Sequence, residues 1–144
     1  MKQELTDSMG LKIMLVDDDD ISSYINSKVI EKAGLPLDHV SIYLQGEKAL
    51  NHLENIINNE QEFPDLILLD INMPVMDGWG FLDKYREKIW PKLNKRVVVS
   101  MLSSSFYQED IDKAFSYPQV NDYVSKPLTS AGLKELLGKH FTNN

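Results

Sequence analysis

Five short apolar runs with strand propensity alternate with five amphipathic segments, and this alternation constrains the fold more than any other feature. The runs are LKIMLV (11–16), HVSIYL (39–44), DLILLD (65–70), RVVVSML (96–102) and VNDYVS (120–125). Strands that alternate with helices form parallel sheets covered on both faces, so each strand is apolar along its whole length. The sequence therefore predicts a doubly wound α/β fold with a five-stranded parallel sheet and five helices.

The helical segments carry apolar side chains three and four residues apart, which places these side chains on one face of a helix. The segments are 21–33, 49–57, 79–89, 108–117 and 133–141. Asp20 is expected to cap the first helix and Gly34 to end it, while Thr129 is expected to cap the last. Pro91 follows the third segment and ends it, because proline cannot donate the backbone hydrogen bond of a helix.

The chain has 144 residues, a length that suits one hydrophobic core and is short for two domains. Its 42% hydrophobic and 26% charged residues are typical of a soluble globular protein. The sequence shows no internal repeat, linker or low-complexity segment. We therefore expect a single domain over 1–144, with its core at about 11–141.

Charge and cysteine content exclude several classes of function. The net charge of −7 argues against direct binding to nucleic acid or anionic membrane, because both require a basic face. Cysteine is absent, so disulfides, thiolate metal sites and a cysteine nucleophile are excluded. The N-terminal MKQELTDSMG lacks the pattern of a signal peptide, and no later run is long enough to span a membrane. We expect a cytoplasmic protein without membrane insertion.

Reactive side chains follow four of the five predicted strands at their carboxyl ends. Asp17 and Asp18 follow the first strand, Asp70 closes the third, Ser103 follows the fourth and Lys126 follows the fifth. In doubly wound sheets, ligands bind at this edge, beside the point where the strand order reverses. An acidic side chain that closes an apolar strand is costly unless it is paired or bound to metal, so Asp70 is a candidate functional residue.

A strand order of 2-1-3-4-5 would make the first and third strands neighbours and bring Asp17, Asp18 and Asp70 together. Three carboxylates at separations of ~5 Å repel each other by roughly 3 kcal/mol per pair at an effective dielectric constant near 20. Such a cluster requires a cation. Oxygen ligands without histidine or cysteine suit Mg²⁺, so the sequence predicts a magnesium site at this edge.

The acidic run DDDD (17–20) has a second interpretation, since acidic runs are usually solvated surface segments. Its position directly behind a strand, matched by Asp70 and Lys126 behind two others, favours a functional role for Asp17 and Asp18. No role is assigned to Asp19, and Asp20 is interpreted as the helix cap.

The stretch PDLILLDINMPVMDGWGFL (64–82) is the most specific pattern in the chain. Asp70 is followed by Met73-Pro74 and then by Asp77-Gly78. These residues predict a rigid loop in which the main-chain carbonyl of Asn72 can face the same cation. Asp77-Gly78 on its own is interpreted as an ordinary turn before a helix.

With this stretch in view, the chain from about Lys12 to Phe141 resembles the receiver domains of two-component response regulators, in particular the stand-alone, chemotaxis-regulator-like ones. The matching motifs are the acid pair after the first strand, the xxMPxxDG run after Asp70, VVVSMLSSS (97–105) and YVSKP (123–127). The resemblance implies a flavodoxin-like fold with strand order 2-1-3-4-5.

The resemblance also implies roles for the residues at the sheet edge. Asp70 corresponds to the phosphoacceptor, and Lys126 to the lysine that contacts the phosphoryl group. The implied Mg²⁺ ligands are the carboxylates of Asp17, Asp18 and Asp70 and the main-chain carbonyl of Asn72. The Lys126–Pro127 peptide bond is expected to be cis, which proline allows at a cost of roughly 0.5–1 kcal/mol.

Further positions correspond to the switch of the family. Ser103 matches the switch hydroxyl that answers phosphorylation, and Tyr123 matches the switch aromatic. Asn72 and Ser105 fall on positions that tune the rate of phosphoryl turnover. The chain departs from the family pattern in having serine at 103, where threonine is more usual, and serine at 104, where a small apolar residue is usual.

The implied partners are a sensor histidine kinase or a histidine phosphotransfer protein, which would supply the phosphoryl group, and a downstream protein target. By resemblance, the first helix near Ile21 and Tyr24 contacts the kinase, and the fourth helix, fifth strand and fifth helix form the output face. The domain would assist only its own phosphorylation and dephosphorylation and is not expected to be an enzyme. The three histidines share no spacing and are interpreted as structural: His39, His52 and His140.

Two other functions remain as alternatives. A haloacid-dehalogenase-like, Mg²⁺-dependent phosphatase also uses an aspartate nucleophile, but it carries a second aspartate two residues later, where this chain has Asn72. A receiver-like interaction module that has lost phosphorylation usually lacks the acid pair, the acceptor or the lysine, and all of these are present. A stand-alone regulator, a phosphorelay shuttle and a fragment of a longer protein all remain open.

Overall fold

The computed structural model describes residues 10–73 and 75–141. Residues 1–9, on which the expectation of no signal peptide falls, and Pro74 of the predicted loop lie outside the described residues. The strands are β1 Ile13–Val16, β2 Val40–Tyr43, β3 Leu66–Leu69, β4 Val98–Ser103 and β5 Val120–Ser125. All neighbouring strands are parallel, in the order β2-β1-β3-β4-β5. The predicted architecture and strand order are therefore confirmed.

Five α-helices connect and follow these strands within the described part of the chain. They are α1 Asp20–Lys32, α2 Gly46–Asn55, α3 Gly78–Lys88, α4 Gln108–Phe115 and α5 Ser130–Phe141. Single turns of 3₁₀-helix at Leu37–His39 and Trp90–Lys92 lead into β2 and follow α3. None of the helices in these residues has both the length and the apolar character needed to cross a bilayer.

The N-cap of α1 differs by one residue from the one predicted from the sequence, whereas the N-cap of α5 agrees with the prediction. Asp19, not Asp20, is the N-cap of α1, because the Asp19 carboxylate accepts hydrogen bonds from the backbone N–H groups of Ile21 and Ser22. The prediction of Asp20 was wrong by one residue, since any of four consecutive aspartates has the chemistry of a cap. Thr129 is confirmed as a cap, with its hydroxyl accepting from the backbone of Gly132 at 3.0 Å.

The helices form two layers, one on each face of the sheet, and each layer encloses its own part of the core. Helices α1 and α5 cover one face with side chains such as Ile30 and Leu133, while α2, α3 and α4 cover the other with side chains such as Leu53 and Phe81. The three interior strands β1, β3 and β4 are buried along their whole length. Such burial fixes the positions of the residues that follow these strands, which form the candidate site.

Candidate functional site

Three carboxylates converge at the carboxyl edge of the sheet, as the sequence predicts. Strands β1 and β3 pair with Val16 opposite Leu69, so the next residues, Asp17 and Asp70, emerge side by side. The backbone N–H of Asp70 donates to the carbonyl of Val16 at 2.9 Å and holds the two strand ends together. Carboxylate oxygens of Asp17, Asp18 and Asp70 all lie within 4.8 Å of one another. Asp17 and Asp70 are buried, whereas Asp18 is exposed.

Lys126 reaches this cluster from the end of β5. Its Nζ lies 3.0 Å from Oδ2 of Asp17 and 3.2 Å from Oδ1 of Asp70. Its backbone N–H donates to the carbonyl of Ser103 at 2.9 Å, which fixes the start of the loop after β5. The Lys126–Pro127 bond is cis, as the resemblance implies. One ammonium group thus bridges two of the three carboxylates.

Burial and neighbouring charges act in opposite directions on the pKa values of Asp70 and Lys126. Burial raises the pKa of Asp70, and the neighbouring Asp17 charge raises it further, although Lys126 and the backbone N–H of Asn72 act in the opposite direction. Burial alone would lower the pKa of Lys126, but the hydrogen bond to Asp17 and the charges of Asp70 and Asp17 outweigh it and raise that pKa. Three carboxylates around one ammonium leave excess negative charge, and a bound cation would neutralise it.

The start of α1 holds the Asp17 carboxylate in place. Oδ1 of Asp17 accepts from the backbone N–H of Asp19 at 3.0 Å, and Oδ2 accepts from the hydroxyl of Ser22 at 3.0 Å. The hydroxyl of Ser23 donates to the main-chain carbonyl of Asp17 at 3.4 Å. Asp19 therefore has two structural roles. Its side chain caps α1, and its backbone N–H orients the carboxylate of Asp17.

The candidate switch residues are linked to each other and to the first turn of α4. Ser103 is buried, and its hydroxyl accepts from the backbone N–H of Ser105 at 3.0 Å. The Ser105 hydroxyl donates to Asp110 at 2.5 Å. The hydroxyl of Tyr123 donates to the carbonyl of Ser105 at 3.2 Å. A displacement of Ser103 would thus reach α4 and β5 through Ser105.

Gly78 has a larger part in the site than its sequence context indicates. Asp77 caps α3 by accepting from the backbone N–H of Gly80 at 2.9 Å, as expected for a turn before a helix. However, a Cβ at Gly78 would lie 2.6 Å from the carbonyl oxygen of Asp70 and 2.8 Å from Cα of Ile71. The interpretation of Gly78 as an ordinary turn residue was therefore incomplete, because only glycine lets α3 begin so close to the backbone of Asp70.

Val75 in the same loop is strained, and this gives a stability prediction. Its φ is 67° and its side chain is fully exposed, so it gains nothing from packing. A β-branched residue in the left-handed region costs roughly 1–2 kcal/mol, whereas asparagine tolerates this conformation. Val75→Asn is therefore expected to raise the free energy of unfolding by about 1 kcal/mol in urea titrations. Val75→Thr keeps the branched Cβ and should leave it unchanged; equal gains in both variants would contradict the explanation.

An apolar surface of α1 lies beside the mouth of the site. Ile21, Tyr24 and Ile25 are 71%, 62% and 49% exposed. A groove next to them is lined by Ile21, Ile25, Ser104 and Pro127, among others. Exposed apolar side chains in a row are a common feature of protein contact surfaces.

Each of the three histidine rings contacts a neighbouring group of the fold. Nδ1 of His39 is 3.2 Å from the carbonyl of Leu11, and the ring of His52 stacks on Tyr43 with centroids 5.5 Å apart. Nε2 of His140 lies 2.9 Å from Oδ2 of Asp122, between α5 and β5.

A five-stranded parallel sheet that carries an acid cluster and a bridging lysine at its carboxyl edge defines the chain as a doubly wound α/β domain with a candidate cation site. The model of the response regulator receiver domain family matches residues 13–138, and the chain belongs to this family. The family is a signalling module and not a conventional enzyme.

Similar proteins include a hybrid histidine kinase and two response regulator proteins. The chain is 33% identical over 132 residues to hybrid signal transduction histidine kinase L of Dictyostelium discoideum; the match covers 92% of this chain but only 7% of the kinase. A two-component response regulator from Cytophaga hutchinsonii is similar in structure, with a TM-score of 0.78 and 35% identity over 89% of this chain and 94% of that one. A receiver protein from Dyadobacter fermentans has a TM-score of 0.77 and 28% identity, covering 92% and 98%.

Proposed function

We propose that the domain accepts a phosphoryl group on Asp70 from a phosphohistidine of a partner protein and passes the signal on through a changed surface. The convergence of three carboxylates and Lys126 at one edge of the sheet carries this proposal. A carboxylate oxygen of Asp70 would attack phosphorus, and the bond between phosphorus and the histidine nitrogen would break. The products would be an acyl phosphate on Asp70 and a free imidazole on the partner.

The donor set fits Mg²⁺. Asp17, Asp18 and Asp70 offer only oxygen ligands with excess negative charge, and the resemblance adds the main-chain carbonyl of Asn72. When bound, Mg²⁺ would neutralise phosphoryl oxygens and align the donor with the acceptor.

Lys126 has a second role in this proposal. Its ammonium group contacts the buried carboxylates of Asp17 and Asp70. It therefore lies close to the Asp70 carboxylate, which would attack phosphorus. A lysine side chain is long enough to turn toward a phosphoryl group on Asp70 and to stabilise its charge.

Phosphorylation would change the contacts of the switch residues. A phosphoryl group on Asp70 would add strong acceptor oxygens at the edge of the sheet where the paired strand β4 ends in Ser103, and the buried Ser103 hydroxyl would rotate to donate to one of them. Ser105 would move with Ser103, because its backbone N–H donates to the Ser103 hydroxyl. Tyr123 and α4 would move with Ser105, because Tyr123 donates to the Ser105 carbonyl and Asp110 of α4 accepts from the Ser105 hydroxyl. The output face formed by α4, β5 and α5 would therefore change shape. Asn72 and Ser105 would tune the lifetime of the acyl phosphate.

The proposed phosphoryl donor is a sensor histidine kinase or a histidine phosphotransfer protein, which would contact the exposed surface of α1 at Ile21 and Tyr24. The similarity to receiver segments of hybrid histidine kinases supports this choice. The output partner would be another protein, with no direct nucleic acid contact and no membrane insertion. We place the domain in the cytoplasm, where ATP is available to such a kinase. A single receiver domain over 1–144, with its core at about 11–141, accounts for the family match to 13–138.

The two alternatives are less well supported. Family membership argues against the haloacid-dehalogenase-like phosphatase, and Asn72 cannot replace the general acid of such an enzyme. A receiver-like module without phosphorylation would not need the bridged acid cluster, whose assembly disfavours the ionised form of Asp70. We therefore propose that the domain assists only its own phosphorylation and dephosphorylation.

Incubation of the purified protein with acetyl phosphate, with Mg²⁺ or with a chelator, tests the proposal. We expect the intact protein to gain the mass of one phosphoryl group in mass spectrometry when Mg²⁺ is present, and to remain unmodified in the chelator. Absence of labelling under both conditions would instead support the interaction module. Steady release of phosphate from a generic ester over many turnovers would support the phosphatase.

A further inference from the structure

Ser22 contacts the acid cluster, although the family resemblance assigns it no role. It lies in the first turn of α1, and its hydroxyl donates a 3.0 Å hydrogen bond to Oδ2 of Asp17. The same oxygen accepts from Nζ of Lys126 at 3.0 Å, while the other oxygen accepts from the backbone N–H of Asp19. The Asp17 carboxylate is thus held by three donors, of which one belongs to a long and movable side chain.

The three donors differ in what a bound cation does to them. Lys126 carries positive charge, so a cation bound at the cluster would repel it, and a phosphoryl group on Asp70 would draw it away from Asp17. Ser22 is neutral and can keep its hydrogen bond to Asp17 while the cation is bound. The backbone N–H of Asp19 holds only the opposite oxygen. When a cation is bound at the cluster, Ser22 is therefore the side chain that would continue to orient Oδ2 of Asp17.

The position of Ser22 is itself fixed. Its backbone N–H donates to the capping carboxylate of Asp19 at 3.3 Å, and the helix that follows is packed on the sheet through Ile30. The serine side chain has a single rotatable bond before its hydroxyl, so little entropy is lost when that hydroxyl is directed at Asp17. Hydrogen bonds that orient metal-binding side chains commonly determine metal affinity.

We infer that Ser22 is a positioning residue that orients the Asp17 carboxylate for Mg²⁺. This inference rests on the proposed function, since it concerns the same magnesium site. Removal of the hydroxyl in Ser22→Ala is expected to weaken Mg²⁺ binding about tenfold, because Oδ2 of Asp17 then loses its neutral donor and only the backbone N–H of Asp19 still orients the carboxylate, through the other oxygen. Ser22→Thr keeps a hydroxyl at the same place and should bind Mg²⁺ like the wild type.

Ser23→Ala is a matched control. Ser23 is the next residue of the same helical turn, and it donates to Asp17 as well, but to the main-chain carbonyl and not to the carboxylate. Loss of its hydroxyl disturbs the same turn without freeing the carboxylate oxygens. We expect its Mg²⁺ affinity to stay within about twofold of the wild type, because no hydrogen bond to a carboxylate oxygen of Asp17 is lost.

The measurement is a Mg²⁺ titration of isotopically labelled protein, with dissociation constants taken from the amide chemical shifts of the residues around the site. Urea unfolding without metal is recorded for every variant, because a purely structural serine would lower stability and leave Mg²⁺ affinity unchanged. Tenfold weaker binding in Ser22→Ala, with Ser22→Thr and Ser23→Ala near the wild type, supports the inference. Equal affinity of Ser22→Ala and wild type, or an equal loss in Ser23→Ala, overturns it. A wild type that shows no Mg²⁺ response overturns the proposed magnesium site itself.

Discussion

Asp70→Asn is expected to abolish labelling by acetyl phosphate, a loss of at least about a hundredfold, because an amide oxygen is a poor nucleophile toward phosphorus. Asp70 is the acid that closes β3, lies within reach of both other carboxylates and contacts Lys126. Asparagine has nearly the same shape, so the loop and α3 should remain in place. The measurement is the mass of the intact protein after incubation with acetyl phosphate and Mg²⁺.

The same variant is expected to be more stable than the wild type in the absence of metal at neutral pH. Burial and the charge of Asp17 raise the pKa of Asp70, so the folded state disfavours the ionised carboxylate relative to the unfolded state. For an acid with a raised pKa, stability is fully present below the ordinary value of about 4 and is lost as pH rises through the folded-state pKa. The stability advantage of Asp70→Asn should therefore be present at pH 7 and should shrink as the pH falls toward 4.

Asp20→Asn is the control for both measurements. Asp20 belongs to the same acidic run, but it is exposed at the start of α1 and lies outside the cluster of Asp17, Asp18 and Asp70. It should label like the wild type and should show no comparable gain in stability. Labelling that persists in Asp70→Asn would show that another residue accepts the phosphoryl group, and a lower stability at pH 7 would show that Lys126 fully balances the carboxylate.

The convergence of the site residues could be predicted because it follows from the strand order 2-1-3-4-5, which the family resemblance implies and the structure has. Carboxyl ends of parallel strands meet at one edge, so the residue after β1 and the residue after β3 become neighbours once these strands pair. Asp17, Asp70 and Lys126 each follow an apolar run, which made their positions visible in the sequence. The roles of these residues in phosphoryl transfer came from the family resemblance and stay proposals.

Other parts of the site could not be predicted because they depend on distances between side chains. The hydrogen bond of Ser22 to Asp17 needs the exact direction in which α1 leaves the sheet, and four consecutive aspartates gave no signal that Asp19 would be the cap. The constraint on Gly78 arises from the backbone of Asp70, eight residues earlier in the chain. A glycine after an aspartate indicates a turn but not what the glycine approaches.

Lys126→Met is expected to lower labelling by acetyl phosphate and to raise Mg²⁺ affinity, so it tests how the lysine charge acts on the carboxylates. Methionine keeps the length of the side chain and removes the charge that lies 3.0 Å from Asp17 and 3.2 Å from Asp70. Labelling by acetyl phosphate should fall about a hundredfold, because one electrostatic stabiliser of the transferred group is lost. Mg²⁺ affinity should rise, because a cation no longer competes for the same carboxylates.

The metal-free variant should also be less stable, since two buried carboxylates lose their partner. Breaking a buried ion pair costs about 3–5 kcal/mol, and because the Lys126 side chain is 21% exposed we expect a loss of about 2 kcal/mol in urea unfolding. Lys134→Met is the control, because it makes the same change in net charge on the exposed side of α5. A weaker Mg²⁺ affinity in Lys126→Met than in Lys134→Met would contradict the competition between lysine and cation, and would make Lys126 a residue that assembles the metal site.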